Sequence, residues 1–317
     1  MSTSVKARSS GRDSLWPVKP ETQTFYEAAV GRAVEHVFDH LDEALDLAGL
    51  AKQAALSPLH FHRIFRGLVG ETPLELHRRL RLERAAGQLV RGDRPVTRVA
   101  FDAGYETHES FTRAFGERYA ASPSAFRARA PQEPALDLAS PAGLHFRVGE
   151  RPVLKRLKGE SVMQVALEEL PPLRLAAVRH RGPYLQIGQA FDRLGQIAGP
   201  AGWFGRAGIK MIGVYHDDPD AVPADELRSE AALSVPDGEP LPPGLEELRL
   251  EGGRYACAVH VGPYETLPDA WAELMGKWLP KSGHRVGEGP SLEIYLNNPM
   301  NAGPDELRTQ LCVRLDT

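Results

Sequence analysis

Two cysteines in 317 residues leave no material for a disulfide framework or a four-cysteine zinc site. Cys257 and Cys312 stand in apolar, strand-like stretches without Cys-x-x-Cys spacing and are expected to be buried free thiols in a reducing cytoplasm. Long apolar runs are missing as well: none approaches the roughly 20 residues that cross a bilayer, so no membrane partner is expected. The opening stretch, MSTSVKARSSGRDS, lacks the apolar segment of an export signal and is expected to belong to a disordered tail over 1–22. His180 and His260 have no companion at metal-ligand spacing, and neither a metal nor another cofactor is expected. Charge of one sign is also lacking overall, with 38 Lys+Arg against 42 Asp+Glu. That balance hides a division. Residues 1–159 carry a net +5 and residues 160–317 a net −9, which together give the −4 of the chain. A basic half suits a polyanion and an acidic half suits cationic ligands.

What is abundant is repetition. HRGPY at 180–184 returns as HVGPY at 260–264, and the register holds without a gap at an offset of 80. Phe191 maps to Trp271, Leu194 to Leu274, Tyr215 to Tyr295, and DELR at 225–228 to DELR at 305–308. So long a period fits a duplicated subdomain better than a solenoid. Each copy reads strand, helix, strand, strand: Leu173–His180 and Tyr255–His260 are apolar strands closed by Gly-Pro. The expected architecture is an α+β domain with pseudo-twofold symmetry, antiparallel sheets, and a groove where the halves meet. A structural turn is the favoured role for the two HxGPY stretches.

The N-terminal half carries a second repeat, and its periodicity is helical. Phe61, Arg63, Phe65, Thr72 and Pro73 match Phe111, Arg113, Phe115, Ser122 and Pro123 at an offset of 50. Upstream, Ala51 and Ala54 match Ala100 and Ala103 at 49, so the second turn holds one extra residue. These are two helix-turn-helix units in an all-α domain. The segment between them, ELHRRLRLERAAGQLVRG, is a helix of about 18 residues and about 27 Å. Such a spacer holds two recognition helices near the ~34 Å between successive major-groove entries on one side of B-DNA. Removing the core-facing positions leaves Leu59, His60, His62, Arg63 and Arg66 on the first recognition helix, behind its cap Ser57. The second offers His108, Glu109, Ser110, Thr112 and Arg113 behind Thr107. Arginine suits guanine, threonine and leucine suit the thymine methyl, and glutamate suits cytosine. Glu109 either reads a cytosine or weakens its half of the site. Arg66, Arg78, Arg79, Arg81 and Arg94 are expected to hold phosphates.

The stretches LAKQAALSPLHFHRIF, AAGQL and VAFDAGYETHESFTRAFGERYAASPSAFR resemble the AraC/XylS class of transcription activators, of the MarA, SoxS and Rob type. The resemblance implies recognition helices over 58–69 and 107–118 in adjacent major grooves of double-stranded DNA, with RNA polymerase as a further partner. Leu59 and His62 depart from the aromatic residue and glutamine frequent in that class, so an operator sequence does not carry over.

The C-terminal half, on its HxGPY, DELR and EIY segments, resembles the GyrI-like, or SHS2-duplicated, effector domain of Rob- and BmrR-type proteins. Within SLEIYL, Glu293 and Tyr295 share a face, while the first copy has Gly213 and Tyr215 at those places. Trp203, Phe204, Tyr215, Tyr264, Trp271 and Tyr295 are the aromatics available to line the groove. A carboxylate among aromatics suits a flat, apolar cation. By residue pattern alone Glu293 is equally well a solvent-facing residue of an edge strand; the resemblance favours the pocket. The expected order is a tail over 1–22, a DNA-binding domain over 23–131, a linker over 132–159 and a ligand-binding domain over 160–317. The leading function is a ligand-controlled, non-enzymatic transcription regulator. A hydrolase acting on strained small molecules through a Tyr/Glu pair, or a protein-interaction module, is the alternative that the same resemblance implies.

Overall fold

The computed structural model describes residues 20–129, 136–154, 161, 163–204, 206–217, 219 and 221–316. Seven helices open the chain: α1 (Pro20–Asp39), α2 (Leu47–Gln53), α3 (Pro58–Val69), α4 (Pro73–Arg91), α5 (Val96–Asp102), α6 (His108–Tyr119) and α7 (Pro123–Arg129). The expected tail over 1–22 therefore ends early, because Pro20 to Thr22 form the first turn of α1; residues 1–19 lie outside the described residues. Local chemistry sets the helix starts. Ser57 Oγ accepts from His60 N at 3.3 Å with Pro58 in the first turn, and Thr107 Oγ1 accepts from Ser110 N at 3.1 Å. Thr72 and Glu75 form a reciprocal capping box that starts α4. The pairs α2–α3 and α5–α6 are the two helix-turn-helix units, with the 19-residue α4 between them.

The C-terminal half is one sheet rather than several. Its strands are β1 (Val165–Leu170), β2 (Leu173–Arg181), β3 (Met211–Tyr215), β4 (Arg228–Ser234), β5 (Glu246–Leu250), β6 (Gly253–Val261), β7 (Ser291–Tyr295) and β8 (Arg308–Arg314). They lie in the order β1-β6-β8-β7-β3-β4-β2-β5, every pair antiparallel. The leading strands β1 and β5 are absent from the expected strand-helix-strand-strand unit; each forms an edge of the sheet by pairing with the long strand of the other copy, β1 with β6 and β5 with β2. At the centre, Gly213 stands opposite Glu293, Met211 opposite Tyr295 and Tyr215 opposite Ser291. Exchanging each residue with the one 80 away reproduces that pairing. Cys257 and Cys312 are free, buried and directly opposite on β6 and β8.

Helix α8 (Gly188–Ala198) covers the first copy, and α9 (Leu267–Ala272) covers the second. Only the second continues, through a π-helical turn over Glu273–Trp278 into α10 (Leu279–Ser282). Pro280 explains the widening: it has no N–H for the Gly276 carbonyl four residues back, and its ring crowds that oxygen.

The two halves share a hydrophobic core. Tyr26, Val30 and Val34 of α1 and Phe61, Ile64 and Phe65 of α3 belong to the same buried cluster as Trp271, Leu274, Met275 and Leu279. Tyr26 Oη accepts from Val286 N at 2.9 Å. Where α3 crosses the π turn, the backbones nearly touch: a Cβ on Gly67 would stand 2.5 Å from Gly276 Cα, and one on Gly276 would meet Gly67 Cα. Neither position admits a side chain.

The expected linker is also less independent than its composition implies. Its described part, 136–154, runs back along α4, with Ala142 and Leu144 buried in the shared core. Glu83 of α4 receives Arg79 Nη1 at 2.9 Å, His145 Nδ1 at 3.1 Å, Leu138 N at 3.0 Å and Phe146 N at 2.8 Å. Arg79 is closed from its other side by Glu71, at 2.6 and 2.9 Å. Arg79 is thus a buried ion-pair centre and not the phosphate ligand expected from the sequence.

Removing one partner of a buried ion pair typically costs about 3–5 kcal/mol. Glu83→Ala should lose about that much in urea unfolding and also free the 136–154 strap to amide exchange. A loss below 1 kcal/mol would mean that the strap is held without Glu83. His60, wholly buried between the halves, has its pKa pushed down to about 3 by burial first and by the neighbouring Arg63 charge second. The unfolded chain therefore binds a proton that the folded chain refuses. Stability from this site is complete above about pH 6.5 and falls as pH drops toward 3, by at most about 1.4 kcal/mol per unit. Urea unfolding from pH 7 to 5 should show that slope, and His60→Gln should flatten it.

Candidate effector cavity and DNA-reading helices

A cavity of about 1120 Å³ lies where the two copies of the C-terminal domain meet. Its sheet floor carries Tyr215 of β3 and Glu293 and Tyr295 of β7; Tyr184, Phe191, Tyr264 and Trp271 form walls from the two HxGPY turns and the helices that follow. Phe204 reaches its margin, half exposed. Of the aromatics expected from the sequence, only Trp203 is elsewhere. It is 2% exposed, packs with Leu194, Ala198 and Leu233, and borders a separate recess of about 390 Å³. The loop turns it inward, where its large apolar surface gains more from burial than from a wet groove.

The polar centre is a chain of four groups. Glu293, 4% exposed, accepts from Trp271 Nε1 at 2.8 Å and from Tyr295 Oη at 3.0 Å. With that proton committed to Glu293, the Tyr215 hydroxyl, 2.9 Å away, donates to Tyr295. Burial, with the Glu293 charge second for Tyr215, pushes the pKa values of both tyrosines well up, so they remain neutral donors. Tyr184 is pushed up to about 12 by burial and clasps the Asp217 backbone, its hydroxyl 2.8 Å from both N and O. The difference between copies now has a reason. A Cβ on Gly213 would lie 3.0 Å from both tyrosine hydroxyls, so bare backbone there lets Tyr215 and Tyr295 meet beside the single carboxylate. The HxGPY stretches close their strands as turns: His180 Nε2 contacts Pro183 O and His260 Nε2 contacts Thr266 Oγ1. Among the described residues no histidine, cysteine and carboxylate cluster has the makings of a metal site.

The fourth wall comes from the other half of the chain. Leu59, His62, Arg63 and Arg66 of α3 line the same cavity. These residues, expected to face DNA, are turned inward: Leu59 is 3% exposed, His60 2%, His62 7% and Arg63 8%. The Arg63 guanidinium lies 3.7 Å above the centre of the Trp271 ring, the ring whose N–H holds Glu293. Arg66, expected on a phosphate, pairs with Asp269 of α9 at 2.7 Å. Ser57 remains exposed as the α3 cap. The sequence pattern marks this face as non-core for the helix-turn-helix unit, which is correct; it does not reveal that a second domain covers it.

Helix α6 differs. Glu109 and Arg113 are exposed, His108, Ser110 and Thr112 half-buried, and Thr107 is its exposed cap. Arg78 is exposed, Arg94 pairs with Asp102, and Arg81 is half-buried over Gly104. Among the described residues, no helix is long and apolar enough to cross a membrane.

Residues 163–316 match the family described as the GyrI-like small molecule binding domain, and residues 50–129 match a helix-turn-helix domain family. A DNA gyrase inhibitor of Erwinia billingiae is 34% identical over 149 residues, 44% of this chain and 91% of that protein. One from Yersinia enterocolitica is 33% identical over 141 residues, 43% of this chain and 88% of the relative. Among solved structures, the cryo-EM structure of an EcmrR–DNA complex shares 19% identity and a TM-score of 0.43, over 49% of this chain and 58% of that one, less than two thirds of its length. The DNA-binding domain of AdpA, in complex with a target DNA, shares 31% identity and a TM-score of 0.31, over 33% of this chain and 98% of that one. With the sheet, the cavity and the paired helical units in place, the chain belongs to the GyrI-like family, its small-molecule-binding domain joined to a helix-turn-helix domain of the AraC type.

Proposed function

We propose that this protein is a sequence-specific regulator of transcription that reads double-stranded DNA through its helix-turn-helix units, takes a small aromatic cation in the C-terminal cavity, and acts on RNA polymerase at the promoters it binds. The observation that carries the ligand class is Glu293, a carboxylate buried at the floor of an aromatic-walled cavity. Burying a carboxylate costs several kcal/mol unless charge or hydrogen bonds compensate it. Its two oxygens are oriented by neutral donors, Trp271 and Tyr295, which leave the negative charge itself available to a cation. Tyr264 and the other aromatic residues of the wall supply the cation–π surface. The same two hydrogen bonds hold Glu293 as a fixed charge rather than as a base aimed at water, which favours sensing over hydrolysis.

Benzyltrimethylammonium and its uncharged isostere neopentylbenzene separate charge from shape. At an effective dielectric near 20, two charges about 4 Å apart attract by about 4 kcal/mol before desolvation is subtracted. Glu293→Gln should therefore weaken the cation about tenfold in tryptophan quenching and leave the neutral isostere unchanged. Equal losses for both would reduce Glu293 to a packing residue, and product appearing from either ligand would assign turnover instead.

On the DNA side, Arg113 is exposed on α6, one turn beyond Glu109. Arg113→Ala should cost about 1–3 kcal/mol on DNA selected by the full chain and relax the preference at one base pair, as for a guanine contact. A uniform loss on all sequences would move Arg113 to the phosphates.

A further inference from the structure

We infer that Arg63 is a resident cation of the effector cavity, so that an incoming cation and the buried position of α3 exclude one another and the cation releases α3 to DNA. This rests on the cation-binding reading of the cavity and adds to it what binding does. Three independent observations converge on the contact of α3 with α9 and the π turn that follows it.

The first is charge. Arg63 stacks on Trp271, which is hydrogen bonded to Glu293, so the face best suited to a ligand cation is already occupied by a side chain of the DNA-reading helix. A second unit charge within a few ångströms, among aromatic walls, is repelled. An uncharged ligand of the same shape meets no such repulsion and gains contact with Leu59 on the α3 wall. The sign of the response therefore follows the charge of the ligand, because a ligand shifts an equilibrium only by its difference in affinity for the two states.

The second is the glycine crossing. Gly67 and Gly276 let the backbones approach where neither admits a Cβ. The internal repeats serve as controls: the helix-turn-helix unit that does not dock has Glu117 at the place of Gly67, and the copy of the C-terminal domain whose helix does not cross α3 has Gln196 at the place of Gly276. Both copies that meet carry glycine, and both that do not carry a long polar side chain. The third is burial. Leu59, His60, His62 and Arg63 of α3 are sealed, while Glu109 and Arg113 on α6 stay open, so the two recognition helices of one chain are in different states.

The test reads the sealing directly. In full-length protein carrying His60→Cys, the new thiol lies in the seal, and the native Cys257 and Cys312 are buried. Maleimide labelling should be slow, and saturating benzyltrimethylammonium should accelerate it at least tenfold, whereas neopentylbenzene should not. Gly276→Gln should accelerate it at least tenfold without ligand. Gly276→Gln should also raise the affinity for the selected DNA at least tenfold, as expected when the competent fraction was a tenth or less. Asp269→Arg, which opposes the exposed Arg66 pair without touching the core, should act in the same direction by about threefold. Fast labelling of the ligand-free protein, or no gain from Gly276→Gln and Asp269→Arg together, overturns the inference. Quenching by the cation with labelling unchanged or slowed overturns it too and leaves the cation site standing. If the cation does not quench at all, the ligand reading fails, and with it the release by a cation; the two variants then still decide whether α3 is sealed away from DNA.

Discussion

Gly67 and Gly276 set how close the two halves of this protein come. A residue with a Cβ at either position would push α3 off the π turn by the thickness of a methyl group, and the contacts around the crossing depend on that distance. Trp271 reaches Arg63, Asp269 reaches Arg66, and Tyr26 reaches the Val286 amide only because the backbones meet. Pro280 contributes from the other side by widening the helix at the point of contact. Van der Waals packing of bare backbone is thus the constraint from which the shared core, the fourth wall of the cavity and the burial of the DNA-facing surface follow.

Trp271 is where the chemistry of the two halves joins. Its N–H fixes one oxygen of Glu293, its face carries the Arg63 guanidinium, and the residue lines the cavity. Tyr295 and Tyr215 extend the same network across the centre of the sheet, where Gly213 leaves them room. One buried carboxylate and an arginine from the other half meet on the same tryptophan, which makes cavity occupancy and domain contact a single electrostatic question. On the opposite side of α4, Glu83 does comparable work with Arg79 and the 136–154 strap, tying the spacer helix to the segment that leads into the sheet domain.

Much of this was legible in the sequence, for identifiable reasons. Ser57-Pro58 and Thr72-Pro73 mark helix starts through capping chemistry that needs no tertiary context, and the repeat at 50 then places the second unit. The repeat at 80 brings Gly213 and Glu293 to the sheet centre and Phe191 and Trp271 to equivalent places. The leading strands β1 and β5 were not legible, since both are half-buried edges without a strong alternation. Nor was the fate of the α3 face. Leu59, His60, His62 and Arg63 look like any surface set of a DNA-reading helix, because domain docking leaves no periodic mark on a mixed polar face. The signal that was present lies in the repeats: Gly67 against Glu117 and Gly276 against Gln196 differ at the places where contact forms. Trp203 is the converse case, an aromatic whose position along the chain fits the groove and whose loop turns it into the core.

The central claim is that the closed chain offers DNA one recognition helix and withholds the other. Hydroxyl-radical footprinting of the full chain on its selected site measures this directly. Without ligand, protection should cover one major-groove entry; with benzyltrimethylammonium it should extend to a second, about one helical turn or ~34 Å away. Two equally protected grooves without ligand would contradict the account.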